Sequence, residues 1–239
     1  MQNIENKVAL ITGGSKGIGY GIAESMLSEN MKVAITSRSQ KAADKAALEL
    51  QKIGKGEVLA IEADVRDYQS QQNCIQKIID KWGTLDVLIA NAGVGYFDSI
   101  ENLTQEQWNE TIDINLTGVF NSIKTSIPVL KKSKGFIITI ASLAGTNFFA
   151  GGSAYNASKF GLVGFTQAVM LDLRNEGIRV STIMPGSVTS QFNNHSPNPD
   201  DAWKIQPEDL GQMIVDLLKI NPRTLPSKIE VRPAAPPKK

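Results

Sequence analysis

A short apolar segment, Val8–Ile11, leads directly into the glycine-rich segment Thr12–Gly19, which has the sequence TGGSKGIG. Apolar residues at helical spacing follow as far as Leu27, so the pattern predicts a buried strand, a glycine turn and the start of a helix. In α/β proteins these parts open a βαβ unit, whose N–H groups at the helix start hold a pyrophosphate. The glycines are spaced G-x-x-x-G-x-G instead of the common G-x-G-x-x-G, so a plain tight turn is the alternative.

The same alternation of apolar segments and amphipathic helical patterns continues along the chain. Strands that alternate with helices indicate a Rossmann-type α/β fold, a doubly wound parallel sheet of about seven strands with helices on both faces. We expect one domain over residues 1–231, with a disordered tail at 232–239. The predicted strands are Val8–Ile11, Met31–Thr36, Val58–Ile61, Leu85–Ile89, Phe136–Ile140, Ile178–Met184 and Ile229–Val231.

Composition and charge exclude several classes of function. The net charge is +1 and 21% of the residues are charged, with no basic stripe, so neither nucleic acid nor a membrane surface is indicated as a partner. The single cysteine cannot form an intrachain disulfide, and the N-terminus has no signal-peptide pattern. No apolar run approaches the ~20 residues of a membrane-spanning helix, so a cytoplasmic protein is expected.

The end of the second predicted strand, Ser37-Arg38-Ser39, bears on cofactor choice. An NAD-binding unit normally carries an acidic residue here for the ribose 2′-hydroxyl, and this chain has none. An arginine accommodates a 2′-phosphate instead, and Lys16 in the glycine loop adds a second cation. NADP(H) is therefore the expected cofactor, with NAD(H) less favoured. The alternative is that Arg38 is a solvated loop charge.

Other polar or turn residues also follow predicted strands, namely Asp64, Asn91-Ala92-Gly93, Ser142 and Pro185-Gly186. The carboxyl ends of parallel strands meet at one edge of the sheet, where open α/β sheets bind their ligands. The polar segment 187–206 contains two prolines and is predicted to be a mobile flap over this edge.

Tyr155 and Lys159 stand at positions i and i+4 of a predicted helix, so an ammonium lies next to a phenol. A nearby positive charge lowers the pKa of a tyrosine from about 10, which makes Tyr155 a candidate general acid. A surface pair at chance helical spacing is the alternative. Asn115 falls within the helix predicted to begin near Gln105. Asparagine has poor helix propensity, so its presence in the middle of a helix calls for an explanation.

Together these residues make the chain similar to the short-chain dehydrogenases/reductases, up to about Met213. The resemblance implies an oxidoreductase in which Tyr155 gives its proton to the oxygen of a ketone or aldehyde, or takes it back in the reverse reaction. It implies that Ser142 orients the carbonyl and that Lys159 binds the nicotinamide ribose and lowers the Tyr155 pKa. Asn115, through its backbone carbonyl, would hold a water that links Lys159 to solvent.

The resemblance also implies contacts to the cofactor. Asp64 would bind the adenine amino group, the Asn91-Ala92-Gly93 turn would line the adenosine side, and Val188 would contact the carboxamide. Ser190 stands where the family usually has a flap threonine. No metal ligand is expected. The expected cofactor-binding residues are Gly13, Ser15, Lys16, Gly17, Ile18, Gly19, Ser37, Arg38, Asp64, Val65, Asn91, Ala92, Gly93, Tyr155, Lys159, Pro185, Gly186, Val188 and Ser190.

The 3-oxoacyl-(acyl-carrier-protein) reductases of this family place arginines where this chain has Ser133 and Glu176. A carboxylate repels an acidic carrier, so a free small-molecule carbonyl substrate is favoured. The carrier-bound β-ketoacyl substrate is the alternative, and a non-catalytic NADP(H) sensor or scaffold is a second one. A homodimer or homotetramer is expected, although Ile229–Pro233 replaces the usual C-terminal Val-Asp-Gly-Gly of the tetramer contact.

Four aromatic residues, Tyr96, Phe148, Phe149 and Phe192, lie in segments that follow the strand ends or belong to the flap. They are candidates for the walls of an apolar substrate pocket, and ordinary core packing under the flap is the alternative. His195 lies in the flap without metal-ligating residues at suitable spacing, so it is interpreted as a loop residue.

Overall fold

A computed structural model describes residues 2–235, so residues 236–239 of the predicted tail lie outside the described part. Seven strands form one sheet in the order β3-β2-β1-β4-β5-β6-β7, and every neighbouring pair is parallel. This confirms the predicted doubly wound sheet. The strands are β1 Val8–Ile11, β2 Lys32–Ser37, β3 Val58–Glu62, β4 Val87–Ala90, β5 Phe136–Ile140, β6 Arg179–Pro185 and β7 Lys228–Val231.

Helices cover both faces of the sheet. Helices α1, α2 and α7 contribute buried residues to the core on one face, and α3, α5 and α6 contribute to the core on the other. The helices are α1 Gly17–Ser28, α2 Gln40–Ile53, α3 Tyr68–Trp82, α4 Gln105–Ile112, α5 Gly118–Ser133, α6 Ser153–Leu173 and α7 Pro207–Lys219. None of the helices within residues 2–235 is both long and apolar enough to cross a bilayer.

The central strand shows why its sequence is apolar throughout. All four residues of β1 are buried. Ala9 and Ile11 join the core under α1, while Val8 and Leu10 join the core on the opposite face. Side chains alternate between the two faces of a strand, so a strand covered by helices on both sides needs apolar residues at every position.

The strand order determines where along the sheet a ligand can bind. Strand β1 pairs with β2 on one side and β4 on the other, so the chain leaves the middle of the sheet in opposite directions. This switch point opens a crevice at the carboxyl ends of the strands. The loops after β1 and β4 meet there, and the polar residues predicted from the sequence arrive at this crevice.

A π-helical turn, Asp113–Thr117, joins α4 to α5 without interrupting the helical path. The predicted helix around Asn115 is therefore present, but its middle is wider than an α-helix. Such single wide turns are rare and occur mostly at functional sites.

The flap, residues 187–206, is more structured than its composition indicated. It contains two short 3₁₀ turns, and Val188 bridges Ile205 across its base. The buried Asp201 carboxylate pairs with Lys204 and His195 in its interior. The mobility of this segment remains a prediction.

Candidate active site

A cavity of about 900 Å³ occupies the carboxyl edge of the sheet, between the glycine loop, the carboxyl ends of β2 to β6 and the flap. Most of the predicted site residues line this cavity. Five predicted residues do not, namely Gly19, Tyr96, Asn115, Phe148 and Phe149. The predicted residues that do line it are Gly13, Ser15, Lys16, Gly17, Ile18, Ser37, Arg38, Asp64, Val65, Asn91, Ala92, Gly93, Ser142, Tyr155, Lys159, Pro185, Gly186, Val188, Ser190 and Phe192.

The glycine loop depends on glycine at specific positions. Gly13 and Gly17 have φ angles of 65° and 58°, in the left-handed region where other residues are strained. Gly19 serves packing instead, because a Cβ there would lie 2.5 Å from the Asn91 side-chain nitrogen. That nitrogen donates to the carbonyl oxygens of Thr12 and Gly13 at 3.0 and 3.1 Å, which holds the loop after β4 against the glycine loop.

The start of α1 is left open toward the cavity. Its N-cap, Lys16, makes no side-chain cap, and the first turn contains no acidic residue. By contrast, α2, α3 and α4 are capped by Ser39, Asp67 and Thr104. The first N–H groups of an uncapped helix lack partners and carry a partial positive charge, so they bind anions. The loop and helix start therefore fit the pyrophosphate of a dinucleotide.

Charged side chains surround the far end of the cavity, at the ends of β2 and β3. Arg38 Nη1 lies 3.3 Å from Oε1 of Glu110, a residue of α4. Arg66 binds the Asp64 carboxylate at 2.6 Å, and this hydrogen bond holds the Asp64 pKa below its usual value. Arg38 was predicted from the sequence, whereas Arg66 and Glu110 were not.

The opposite end of the cavity contains Tyr155 and Lys159, both on α6. The Lys159 ammonium lies 5.7 Å from the centre of the Tyr155 ring. Lys159 is only 4% exposed, and its Nζ donates to the Ile140 carbonyl at 3.1 Å. Burial lowers the Lys159 pKa from 10.5 to about 8, because removing water disfavours the charged form.

The prediction of a lowered Tyr155 pKa was wrong. Burial raises the pKa of Tyr155 above 10, and the nearby Ser142 hydroxyl, which acts in the opposite direction, offsets only part of this rise. The sequence showed the neighbouring ammonium but not the loss of water around the phenol. The tyrosine is therefore fully protonated at neutral pH.

Ser142 begins the turn after β5 and lines the same cavity. Its backbone is extended, and its Oγ accepts a hydrogen bond from the Ala144 N–H at 3.1 Å. This bond leaves the hydroxyl hydrogen available to an acceptor in the cavity.

Asn115 is fully buried in the π-turn and acts as a brace between two segments. Its side-chain amide donates to the Val94 carbonyl at 2.9 Å and to the Ser158 hydroxyl at 3.0 Å, and its oxygen accepts from the Val94 N–H at 2.9 Å. These bonds tie the loop after β4 to α6. A water held by the Asn115 carbonyl remains a prediction.

Aromatic rings cluster beside Tyr155, with Phe97 at their centre. The Phe97 ring lies edge-on to Tyr155 at 5.3 Å, and it also contacts Phe149 at 5.8 Å and Phe192 at 6.3 Å between ring centres. Phe97 and Phe192 line the cavity, whereas Phe149 packs against Phe97 without lining it.

Two predicted pocket residues face elsewhere. Tyr96 donates its hydroxyl to the Glu110 carboxylate at 2.5 Å, and Phe148 is 86% exposed. Sequence analysis missed Phe97, although it is adjacent to the candidate Tyr96. Both residues lie in the loop between β4 and α4, and only Phe97 lines the cavity.

The first half of the flap supplies most of the flap residues that line the cavity. Val188 and Ser190 line the cavity, while the Thr189 hydroxyl donates into the flap, to the Asp201 carbonyl. Ser190 therefore stands at the cavity, as its match to the family's threonine implied. His195 also lines the cavity and hydrogen-bonds Asp201, a partner six residues away that spacing alone did not reveal.

Comparison with known proteins gives a family match. The family described as short chain dehydrogenase matches residues 7–201. Trans-4-hydroxycyclohexanecarboxylate dehydrogenase of Sinomonas cyclohexanicum is 36% identical over 77% of this chain and 73% of its own length. The 3-oxoacyl-[acyl-carrier-protein] reductase of Escherichia coli is 36% identical over 80% of this chain and 77% of its own. Glycine betaine reductase of Emericella nidulans is 30% identical over 98% of this chain, which spans only 19% of that protein.

Solved structures are similar over almost the whole chain. An alcohol dehydrogenase from Thermococcus sibiricus, complexed with 5-hydroxy-NADP, has a TM-score of 0.90 at 28% identity, covering 98% of this chain and 99% of that one. A 3-ketoacyl-(acyl-carrier-protein) reductase from Brucella melitensis, complexed with NADH, has a TM-score of 0.85 at 25% identity, covering 97% and 98%.

Proposed function

Because the chain belongs to the short-chain dehydrogenase family, we propose that it is an NADP(H)-dependent oxidoreductase that interconverts a ketone or aldehyde and an alcohol, with Tyr155 as general acid and base. One observation carries this proposal. Tyr155, Lys159 and Ser142 line the same cavity as the open N-terminus of α1. A carbonyl compound and a dinucleotide can therefore occupy adjoining parts of one cleft.

The residues at the catalytic end suit the charge that develops in carbonyl reduction. When bound, a nicotinamide cofactor supplies the hydride that adds to the carbonyl carbon. Negative charge then builds on the carbonyl oxygen. The Ser142 hydroxyl donates a hydrogen bond to that oxygen, and Tyr155 transfers its proton to it.

The pKa shifts explain how Tyr155 holds and gives up its proton. The raised pKa keeps the hydroxyl protonated at neutral pH, which is the form that reduction requires. Proton transfer leaves a phenolate, and the Lys159 ammonium 5.7 Å from the ring centre stabilises it. Both groups are poorly hydrated, so their mutual attraction is stronger than it would be in water.

The proposed preference for NADP(H) rests on the far end of the cavity. Arg38 follows β2, lines the cavity and has no acidic residue beside it in sequence, and Lys16 lies in the glycine loop. These two cations suit a 2′-phosphate. One solved relative is complexed with 5-hydroxy-NADP and another with NADH, and kinetics with both cofactors measure the preference of this chain.

The aromatic cluster supports a free, apolar carbonyl compound as substrate. Phe97 and Phe192 flank the Tyr155 ring at the place where the substrate must present its oxygen. The two positions that carry arginine in carrier-docking relatives carry serine and glutamate in this chain. Glu176 pairs with Lys131 at 3.1 Å, and Ser133 donates its hydroxyl to the Leu85 carbonyl.

A side-by-side assay tests the function and separates the alternatives. Cyclic and aromatic ketones, acetoacetyl-CoA and a carrier-bound β-ketoacyl ester should be offered with NADPH and with NADH. We expect the ketones to be reduced with the highest kcat/KM. A carrier-bound ester that exceeds every ketone would favour the 3-oxoacyl-(acyl-carrier-protein) reductase alternative, and NADPH binding without turnover of any compound would favour a sensor or scaffold.

The surface of α5 and α6 supports a homo-oligomer. Phe120, Phe160 and Leu171 are all more than two-fifths exposed on these neighbouring helices. Covering these side chains with a second copy of the chain would remove apolar surface from water, which favours association. We expect sedimentation to give a dimer or tetramer, and a species with the mass of one chain would contradict this expectation.

A further inference from the structure

A carboxylate stands opposite the guanidinium proposed to bind the cofactor phosphate. Glu110 belongs to the last turn of α4, 72 residues from Arg38 in sequence, and its Oε1 lies 3.3 Å from Arg38 Nη1. The Glu110 side chain is 28% exposed and the Arg38 side chain is 57% exposed. The pair therefore lies at the rim of the cavity, where a ligand can reach the guanidinium.

The second oxygen of the same carboxylate is held from the other side. The Tyr96 hydroxyl donates to Glu110 Oε2 at 2.5 Å, and this bond raises the pKa of Tyr96. Tyr96 lies in the loop after β4, outside the regular elements. Glu110 is thus fixed between a phenol and a guanidinium, so its position next to Arg38 does not depend on one flexible side chain alone.

The charges around Arg38 nearly cancel. Arg38 faces Glu110, and the neighbouring Arg66 is bound to Asp64. Two cations and two carboxylates at this rim leave little net positive charge for a phosphate monoester, which carries about −1.5 to −2 charges near pH 7. Of the two cations predicted to bind the 2′-phosphate, Arg38 and Lys16, only Arg38 faces this carboxylate, and Lys16 lines the cavity in the glycine loop.

We propose that Glu110 determines cofactor specificity: its carboxylate competes with the cofactor 2′-phosphate for Arg38 and keeps the preference for NADP(H) smaller than Arg38 and Lys16 alone would produce. This inference rests on the proposed role of Arg38 in binding that phosphate. A phosphate that binds Arg38 must displace the Glu110 oxygen or share the guanidinium with a like charge. A cofactor with a 2′-hydroxyl meets neither obstacle.

The size of the effect follows from the exposure of the pair. Exposed ion pairs are screened, so replacing Glu110 should change affinity by about three- to tenfold and not by several orders of magnitude. The change should appear only with ligands that carry the 2′-phosphate. A purely structural role for Glu110 would weaken all adenosine ligands alike.

Isothermal titration with two fragments isolates this end of the cavity. The probes are 2′,5′-ADP, which carries the 2′-phosphate, and 5′-AMP, which lacks it. For Glu110→Gln we expect 2′,5′-ADP to bind about three- to tenfold more tightly, with 5′-AMP changed by less than about twofold. Glu106→Gln, on the same helix, is the matched control, because it removes an equal charge from an exposed residue that makes no ion pair with Arg38.

A double-mutant cycle with Arg38→Ala separates competition from the general field of the carboxylate. In the Arg38→Ala background, Glu110→Gln should no longer tighten 2′,5′-ADP binding. Glu110→Asp serves as a second variant, since it keeps the charge but shortens the reach to Arg38, and we expect a smaller gain of the same sign.

The outcomes distinguish this inference from the proposed function. If Arg38→Ala weakens 2′,5′-ADP binding and Glu110→Gln fails to tighten it, the inference is overturned and the role of Arg38 stays intact. A gain from Glu110→Gln that persists without Arg38, or an equal gain in Glu106→Gln, would also overturn it. Arg38→Ala with unchanged 2′,5′-ADP affinity would defeat both the role of Arg38 and the inference.

Discussion

The two ends of the cleft use charge in opposite ways. At the catalytic end Lys159 is 4% exposed, and burial alone moves its pKa to about 8. At the adenosine end the Arg38 side chain is 57% exposed and pairs with Glu110, and the neighbouring Arg66 pairs with Asp64. Charges act strongly where water is excluded and are screened where it is not. Substitutions should therefore have large effects at the first end and modest effects at the second.

The largest effect is expected for Tyr155→Phe, which removes the proposed acid from the buried end. General acid catalysis contributes about 10² to 10⁴ in rate, so turnover should fall by at least about 100-fold while NADPH affinity is kept. Steady-state kinetics and a cofactor titration would measure both. Tyr68→Phe, a partly exposed tyrosine on α3, is the control and should be unaffected. Turnover by Tyr155→Phe close to that of the wild type would refute the mechanism.

The next effect is a pH dependence of stability caused by Lys159. Its pKa is about 8 in the folded protein and about 10.4 in an unfolded chain, so between these values the unfolded state binds more protons and stability rises with pH. From about pH 7 to about pH 9.5 the Lys159 contribution should improve by about 2 kcal/mol.

Comparison of the wild type with Lys159→Met in urea unfolding would isolate this contribution. Cys74, whose burial raises its pKa to about 12, opposes the rise in both proteins alike. The difference between the two free energies of unfolding should therefore shrink by about 2 kcal/mol over this range. A difference that is constant with pH would show that Lys159 is not desolvated. Lys45→Met, at an exposed position of α2, should behave as the wild type.

At the exposed end, Arg38→Asp should have a smaller effect. It replaces a phosphate-binding cation with a carboxylate suited to a ribose hydroxyl, so the ratio of kcat/KM for NADPH to that for NADH should fall by about tenfold or more. Lys45→Asp makes the same charge change at an exposed site on α2 and should leave the ratio nearly unchanged. A wild type that prefers NADH would contradict the cofactor assignment.

Salt should produce the smallest effect and affect only one end. Raising the ionic strength from about 0.05 to about 0.2 M should weaken NADPH binding a few-fold, because the adenosine end is exposed. The single-turnover rate at saturating NADPH should change by less than about twofold, because the catalytic end is shielded from ions. Stopped-flow measurements of both quantities test the contrast directly. Equal salt sensitivity of NADPH binding and of the single-turnover rate would contradict the difference between the two ends.

Sequence patterns predicted the features that depend on neighbouring residues. The all-apolar β1, the glycine turn and the Tyr155–Lys159 spacing follow from local periodicity, and the structure places them as expected. Strand ends were correct to within a residue or two. Arg38 was found because its position follows directly from the end of β2.

The features that sequence analysis missed depend on contacts between distant segments or on water. Glu110 reaches Arg38 across 72 residues, and Asn115 joins segments 21 and 43 residues away. The raised Tyr155 pKa reflects packing around the phenol, which no spacing reveals. Burial and long-range pairing appear only when the elements are assembled.

The π-turn at Asp113–Thr117 holds one residue more than a regular helical path would need. Gly118, directly after it, packs so closely on the segment after β3 that a Cβ would lie 2.6 Å from Val65. Deleting one residue from the wide turn would close it to a regular α-helix, so α5 would keep its face toward Val65. The bulge that carries Asn115 would be lost. The loss of a single codon here should therefore remove the Asn115 brace before it disturbs the packing of α5.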